Sequence, residues 1–148
     1  MYRHILVPVD GSVPAGRAVH QARAIACAFR SEVTLIYVID PDADNGLAAD
    51  PSRSPVGHWR SASEQAHEAI GAARQVFEAQ GMFVKGSVVE GHSVHQAILD
   101  AAQAVNADLV VMGSHGRRGP EKLMIGSVTA QVLSHAHLPV LVVRSQAA

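Results

Sequence analysis

The residues with most to offer chemically lie between positions 112 and 129. Met112-Gly113-Ser114-His115-Gly116 stands at one end of this stretch and Gly126-Ser127-Val128-Thr129 at the other, a spacing of Gly-x2-Gly-x9-Gly-Ser. Gly113 and Gly116 carry no Cβ, so their backbone can turn sharply and bring its amides close to a polyphosphate. If a helix opens at Gly126-Ser127, its first-turn N–H groups, the positive end of its dipole and the Ser127 and Thr129 hydroxyls can all address phosphate oxygens. That chemistry holds an anion and does not break a bond. No Gly-Lys-Ser/Thr closes a glycine loop and no Gly-x-Gly-x-x-Gly follows a strand, which disfavours both a P-loop NTPase and a standard dinucleotide fold.

Other reactive groups have plainer readings. Arg117, Arg118 and Lys122 could neutralise phosphate charge, but a basic cluster on a loop is more often just solvated. His115, inside the loop, could donate to a phosphate or ribose oxygen or do nothing. His92 and His95 are three apart and His135 and His137 flank a turn, yet neither pair brings a carboxylate or cysteine as third ligand, so no metal site is assigned. Cys27 falls on the apolar face of a helical stretch and reads as core. ATP hydrolysis would need a positioned water and a group to orient it. Glu121 is the one acid near the glycines, in mid-loop, so no catalytic residue is named. A dedicated ATPase is unsupported, and slow turnover stays open as the alternative.

Those residues must be positioned by the elements around them. Short β-branched runs alternate with longer stretches whose apolar residues recur every three or four positions. Strands are expected at His4 to Val9, Glu32 to Ile39, Met82 to Val89, Asp108 to Met112 and Val140 to Val143. Helices are marked by Ala15 to Phe29, by Ala66 to Phe77, by Val94 to Val105 with Ser93 as N-cap, and by a start at Gly126-Ser127. Five strands and four helices in strict alternation predict an α/β fold, a single-domain, doubly wound, five-stranded parallel sheet. Pro41 to Arg60, rich in Pro, Asp, Gly and Ser, reads as a long loop. It follows the C-terminal end of the second strand, so it is either a cover over the ligand edge or a surface insertion.

The 148 residues suit one domain spanning 1–148, and the net charge of -1 gives no pull toward nucleic acid or an anionic membrane. A single cysteine excludes an internal disulfide. The N-terminal apolar run stops at Pro8, too short for a signal segment, and nowhere do 18 apolar residues run together. A cytoplasmic protein is expected.

The glycine spacing resembles the nucleotide-binding signature of the universal stress protein family in every fixed position. Ile5-Leu6-Val7-Pro8-Val9-Asp10-Gly11-Ser12 also resembles that family's opening strand and turn, and His135 to Val143 its last helix end and strand. The resemblance implies a Rossmann-like fold of the adenine nucleotide α-hydrolase type with strand order 3-2-1-4-5. It implies ATP as ligand, with Mg2+ held by the phosphates. Pro8, Asp10 and Val38 would border adenine and ribose, the Asp10 carboxylate accepting ribose hydroxyl protons. Met112 to Gly116 and Gly126 to Thr129 would hold ribose and phosphates. Independently, Asp10, Val38 and Met112 all fall at C-terminal strand ends, the ligand edge of open α/β sheets, although Asp10 could instead serve as a helix N-cap.

The leading function is a nucleotide-dependent stress-response module whose ATP-bound state is read by an unknown protein partner. A nucleotide α-phosphate hydrolase of a related fold is the competitor, but the turn Asp10 to Pro14 is too poor in glycine to cradle pyrophosphate. A phospho-receiver domain would need clustered acids around the first strand, and only Asp10 is present. The last strand, an edge in the implied order and apolar from Leu138 to Val143, predicts a homodimer through that edge.

Overall fold

The first strand, β1 (His4–Pro8), is apolar through its middle, and Ile5, Leu6 and Val7 are each 0% exposed. A strand with no exposed face has to lie inside a sheet covered on both sides. The computed structural model describes residues 1–41, 55–115 and 125–144, with the backbone alone for 55–61. After β1 come α1 (Val13–Phe29), β2 (Glu32–Ile39), α2 (Pro55–Glu78), β3 (Lys85–Glu90), α3 (Val94–Ala104), β4 (Leu109–Gly113), α4 (Ser127–His135) and β5 (Val140–Val143). The strands form one parallel sheet in the order β3-β2-β1-β4-β5, the expected doubly wound arrangement. In register, Ile5 lies opposite Val33 and Leu109, and Leu6 opposite Thr34 and Val110.

Strand alternation divides the core into two layers. On one face Ile5, Val7 and Val9 meet Ala18, Ala22 and Ala26 of α1 and Ile70, Ala73 and Phe77 of α2. On the other, Leu6, Ile36, Val110 and Met112 meet Ile98 and Ala102 of α3 and Val132 of α4. The alanine stripe lets α1 lie close to the sheet, while Phe77, 0% exposed, fills the space under α2. Truncating that ring to alanine would cost about 3–5 kcal/mol.

Element ends show where local chemistry departs from the periodic reading. Helix α2 starts at Pro55, so residues 55–60 of the segment expected as loop are helical, and residues 42–54 lie outside the described residues. Proline suits a first helical position because its missing N–H has no intrahelical partner there. β3 starts at Lys85, three residues later than expected. Gly81, at φ +72°, donates its N–H to Glu78 O at 2.9 Å, and Met82 N–H reaches Phe77 O at 3.0 Å. That is a Schellman closure, so Met82 belongs to the end of α2. Cys27 is exposed, not core: Ala22 and Ala26 carry the buried stripe, and the Cys27 Sγ sits 3.5 Å from Met82 Sδ.

The N-terminal sheet edge is held by Asp108. Its carboxylate accepts from the backbone N–H of Arg3 at 2.9 and 3.1 Å and of His4 at 3.1 Å, while Asp108 N–H donates to His4 O at 2.9 Å. Burial by itself pushes this carboxyl up, but the backbone hydrogen bonds from Arg3, His4 and its own N–H hold it below the usual carboxylate range. No helix among the described residues is long and apolar enough to cross a membrane.

Candidate functional site

The sheet order places β1 between β2 and β4, so the chain leaves β1 on one side and β4 on the other. Helix α1 covers one face, and α3 and α4 the other. Between the C-terminal ends of β1 and β4 lies the topological switch point, where ligands of such sheets bind.

Asp10 stands at that point. Its Oδ1 accepts the Ser12 N–H at 2.9 Å across Gly11, whose φ of +80° suits the residue without a side chain. Ser12, not Asp10, is the N-cap of α1, accepting Ala15 N–H at 3.2 Å on its Oγ. The half-buried Asp10 carboxylate is thereby oriented at the strand end without serving as the cap. Ser12 was missed as an organising residue; the signal was an Asp with a small polar residue two positions on, the pattern of an Asx turn.

The two ends of the glycine stretch meet. Ser114 N–H donates to Val143 O at 2.9 Å, and Gly126 N–H donates back to Ser114 O at 2.7 Å. The Thr129 hydroxyl, 2% exposed, donates to Gly113 O at 2.9 Å, so its proton is already committed within the chain. Both glycines are required by the chain's own packing. A Cβ on Gly113 would lie 2.8 Å from Pro14 C and Cβ and 3.0 Å from Ala15 N, while one on Gly126 would lie 3.0 Å from His115 Cα and Cβ. Gly113 therefore admits the start of α1 against β4. Gly116 and residues 117–124 lie outside the described residues.

Ser127, exposed, opens α4, and Val128 packs half-buried beside it. By helix geometry the N–H groups of Ser127, Val128 and Thr129 have no intrahelical acceptor. His115 is half-buried with its Nδ1 3.2 Å from Ser114 Oγ. Val38 and Met112 project to the α3 and α4 face, and Pro8 shares the parity of Leu6 on that side. Met112 is only 5% exposed, so its side chain is core and its backbone is what reaches the edge.

A doubly wound α/β domain with a held carboxylate and a helix opening at its switch point is the nucleotide-fold class. The model of the universal stress protein family matches residues 1–144, and the chain belongs to that family. It is 35% identical to the universal stress protein MJ0531 of Methanocaldococcus jannaschii, over 97% of this chain and 83% of that one. The solved structure of MJ0577, from the same organism, superposes with a TM-score of 0.83 at 29% identity, covering 100% of this chain and 99% of the other. The fold is also shared with the Archaeoglobus fulgidus universal stress protein solved in complex with dAMP, at a TM-score of 0.71 and 21% identity, over 96% and 98% of the two chains.

Proposed function

We propose that this chain binds an adenine nucleotide, ATP, at the switch point between β1 and β4 and acts as a nucleotide-dependent stress-response module with little or no hydrolysis. The observation that carries this reading is the Asp10 carboxylate, held by the Ser12 N–H at 2.9 Å on the same sheet edge where α4 opens. A carboxylate so oriented accepts ribose hydroxyl protons, and the first-turn amides of α4 with the exposed Ser127 hydroxyl suit phosphate oxygens. Pro8 and Val38 supply an apolar border for adenine. Mg2+ would travel on the phosphates. The dAMP complex of a protein with this fold supports an adenine nucleotide as the ligand class.

The test is calorimetry with ATP on wild type and Asp10→Asn. The amide keeps an oxygen for the Ser12 N–H but loses the charge, so the fold is retained. Affinity is expected to fall at least tenfold, ~1.4 kcal/mol. Equal affinities would overturn the assignment of Asp10, and no binding by wild type would overturn the function. Phosphate release from the ATP complex is expected far below the roughly 10 per second of an ordinary enzyme.

A further inference from the structure

The two histidine pairs that look separate in sequence are joined by the fold. The His95 ring, in the first turn of α3, lies against the His135 ring, the last residue of α4, with centroids 5.2 Å apart and planes tilted by 31°. Each ring already has one nitrogen engaged. His135 Nδ1 is 2.8 Å from Gln131 O, and because a carbonyl only accepts, Nδ1 carries the proton and the lone pair is at Nε2. His95 Nδ1 is 3.1 Å from Ser93 Oγ, a hydroxyl at the N-cap position that makes no capping bond. A hydroxyl accepts as readily as it donates, so this contact is compatible with the His95 tautomer that donates Nδ1–H and carries its lone pair at Nε2. An imidazole whose far N–H is tied to a backbone carbonyl, as in His135, has the tautomer and ring orientation fixed as in metal-ligating histidines, and the Ser93 contact holds the ring of His95 in place.

We propose that His95 and His135 form a two-imidazole site for a divalent transition cation, which ties α3 to α4. Among the described residues no group of three or more His, Cys, Asp and Glu side chains is gathered for a metal. Two imidazoles with water completing the shell make an exchangeable site and not a structural one. His95 is half-buried and His135 exposed, so a cation reaches the pair from solvent. Neutral imidazole nitrogens favour Cu2+ over Ni2+ and Zn2+, in the Irving–Williams order.

The experiment uses untagged, nucleotide-free protein titrated with Cu2+ and with Zn2+, so that phosphates contribute nothing and failure of ATP binding is read separately. Titration, the Cu2+ electron paramagnetic resonance spectrum and the unfolding temperature are recorded for wild type, His95→Gln, His135→Gln and His67→Gln. His67 is the control, because its Nδ1 makes the same 2.8 Å bond to the carbonyl four residues back, at Ser63. We expect one site per chain, hyperfine structure from two imidazole nitrogens, and a metal-dependent rise in unfolding temperature. Affinity should fall at least tenfold in each of His95→Gln and His135→Gln and stay unchanged in His67→Gln. Wild-type affinity in either of the first two variants, a one-nitrogen spectrum, or no binding by wild type would overturn the site.

Discussion

At the scale of single residues, several side chains have two claims on them, and the distances decide. Gly113 looks like a phosphate-loop glycine, yet the missing Cβ makes room for Pro14 and Ala15. Gly113→Val should therefore lower stability by about 1–3 kcal/mol through overpacking at the start of α1, read as a lower urea midpoint, whether or not nucleotide is present. A variant as stable as wild type would show that the α1 contact is not tight. Asp108 gives a pH-dependent counterpart. Its folded carboxyl titrates below its unfolded one, so its contribution is full above the unfolded value, near 3.8, and is lost as pH falls through the folded value. Asp108→Asn should be about 1 kcal/mol less stable at neutral pH. The gap should close in acid, and a gap independent of pH would show that the charge plays no part.

At the scale of elements, the type and order of strands and helices were legible because buried β-branched runs and amphipathic spacing are strong local signals. β2 and β5 have the expected bounds, and β4 shifts by one residue. The misses arise where the deciding partner is distant or conformational. Met82 reads as strand by composition but is drawn to Phe77 by the left-handed Gly81. The role of Gly113 depends on Pro14, far away in sequence. The hydroxyl of Thr129, expected on phosphate, is taken by Gly113 O. Asp10 follows the C-terminal end of β1, and the cap of α1 is Ser12. Ser12→Ala should thus cost about 1 kcal/mol of stability through the frayed α1 start. It leaves the N–H that orients Asp10 in place, so thermal denaturation should register the change. An unaltered melting temperature would mean that the Ser12 Oγ bond at 3.2 Å contributes little.

At the scale of the whole molecule, the two outermost strands of the sheet among the described residues, β3 and β5, have opposite character. β3 presents Lys85, Gly86, Ser87 and Glu90, all exposed, and such charged and small residues discourage strand pairing. β5 is Val-Leu-Val-Val, half-buried at every position within the single chain. Its hydrogen bonds show which groups face outward. Val110 N–H donates to Pro139 O at 3.0 Å and Ser114 N–H to Val143 O at 2.9 Å, so residues 139, 141 and 143 turn their backbone groups toward β4. By strand alternation, Val140 and Val142 turn theirs to the open edge. A second copy related by a two-fold axis would run antiparallel along this edge and satisfy those groups in a closed, self-complementary contact. Light scattering at micromolar concentration should then give twice the chain mass of 15.6 kDa. Leu141→Lys should shift the mass toward monomer, but Leu141 also packs on the α1 face, so this variant tests folding as well. Val142→Pro is cleaner: proline is tolerated on an edge strand, and it deletes one outward N–H without touching a bond to β4. A folded Val142→Pro protein that remains dimeric would place the contact elsewhere, and a wild type that stays monomeric at high concentration would end the proposal.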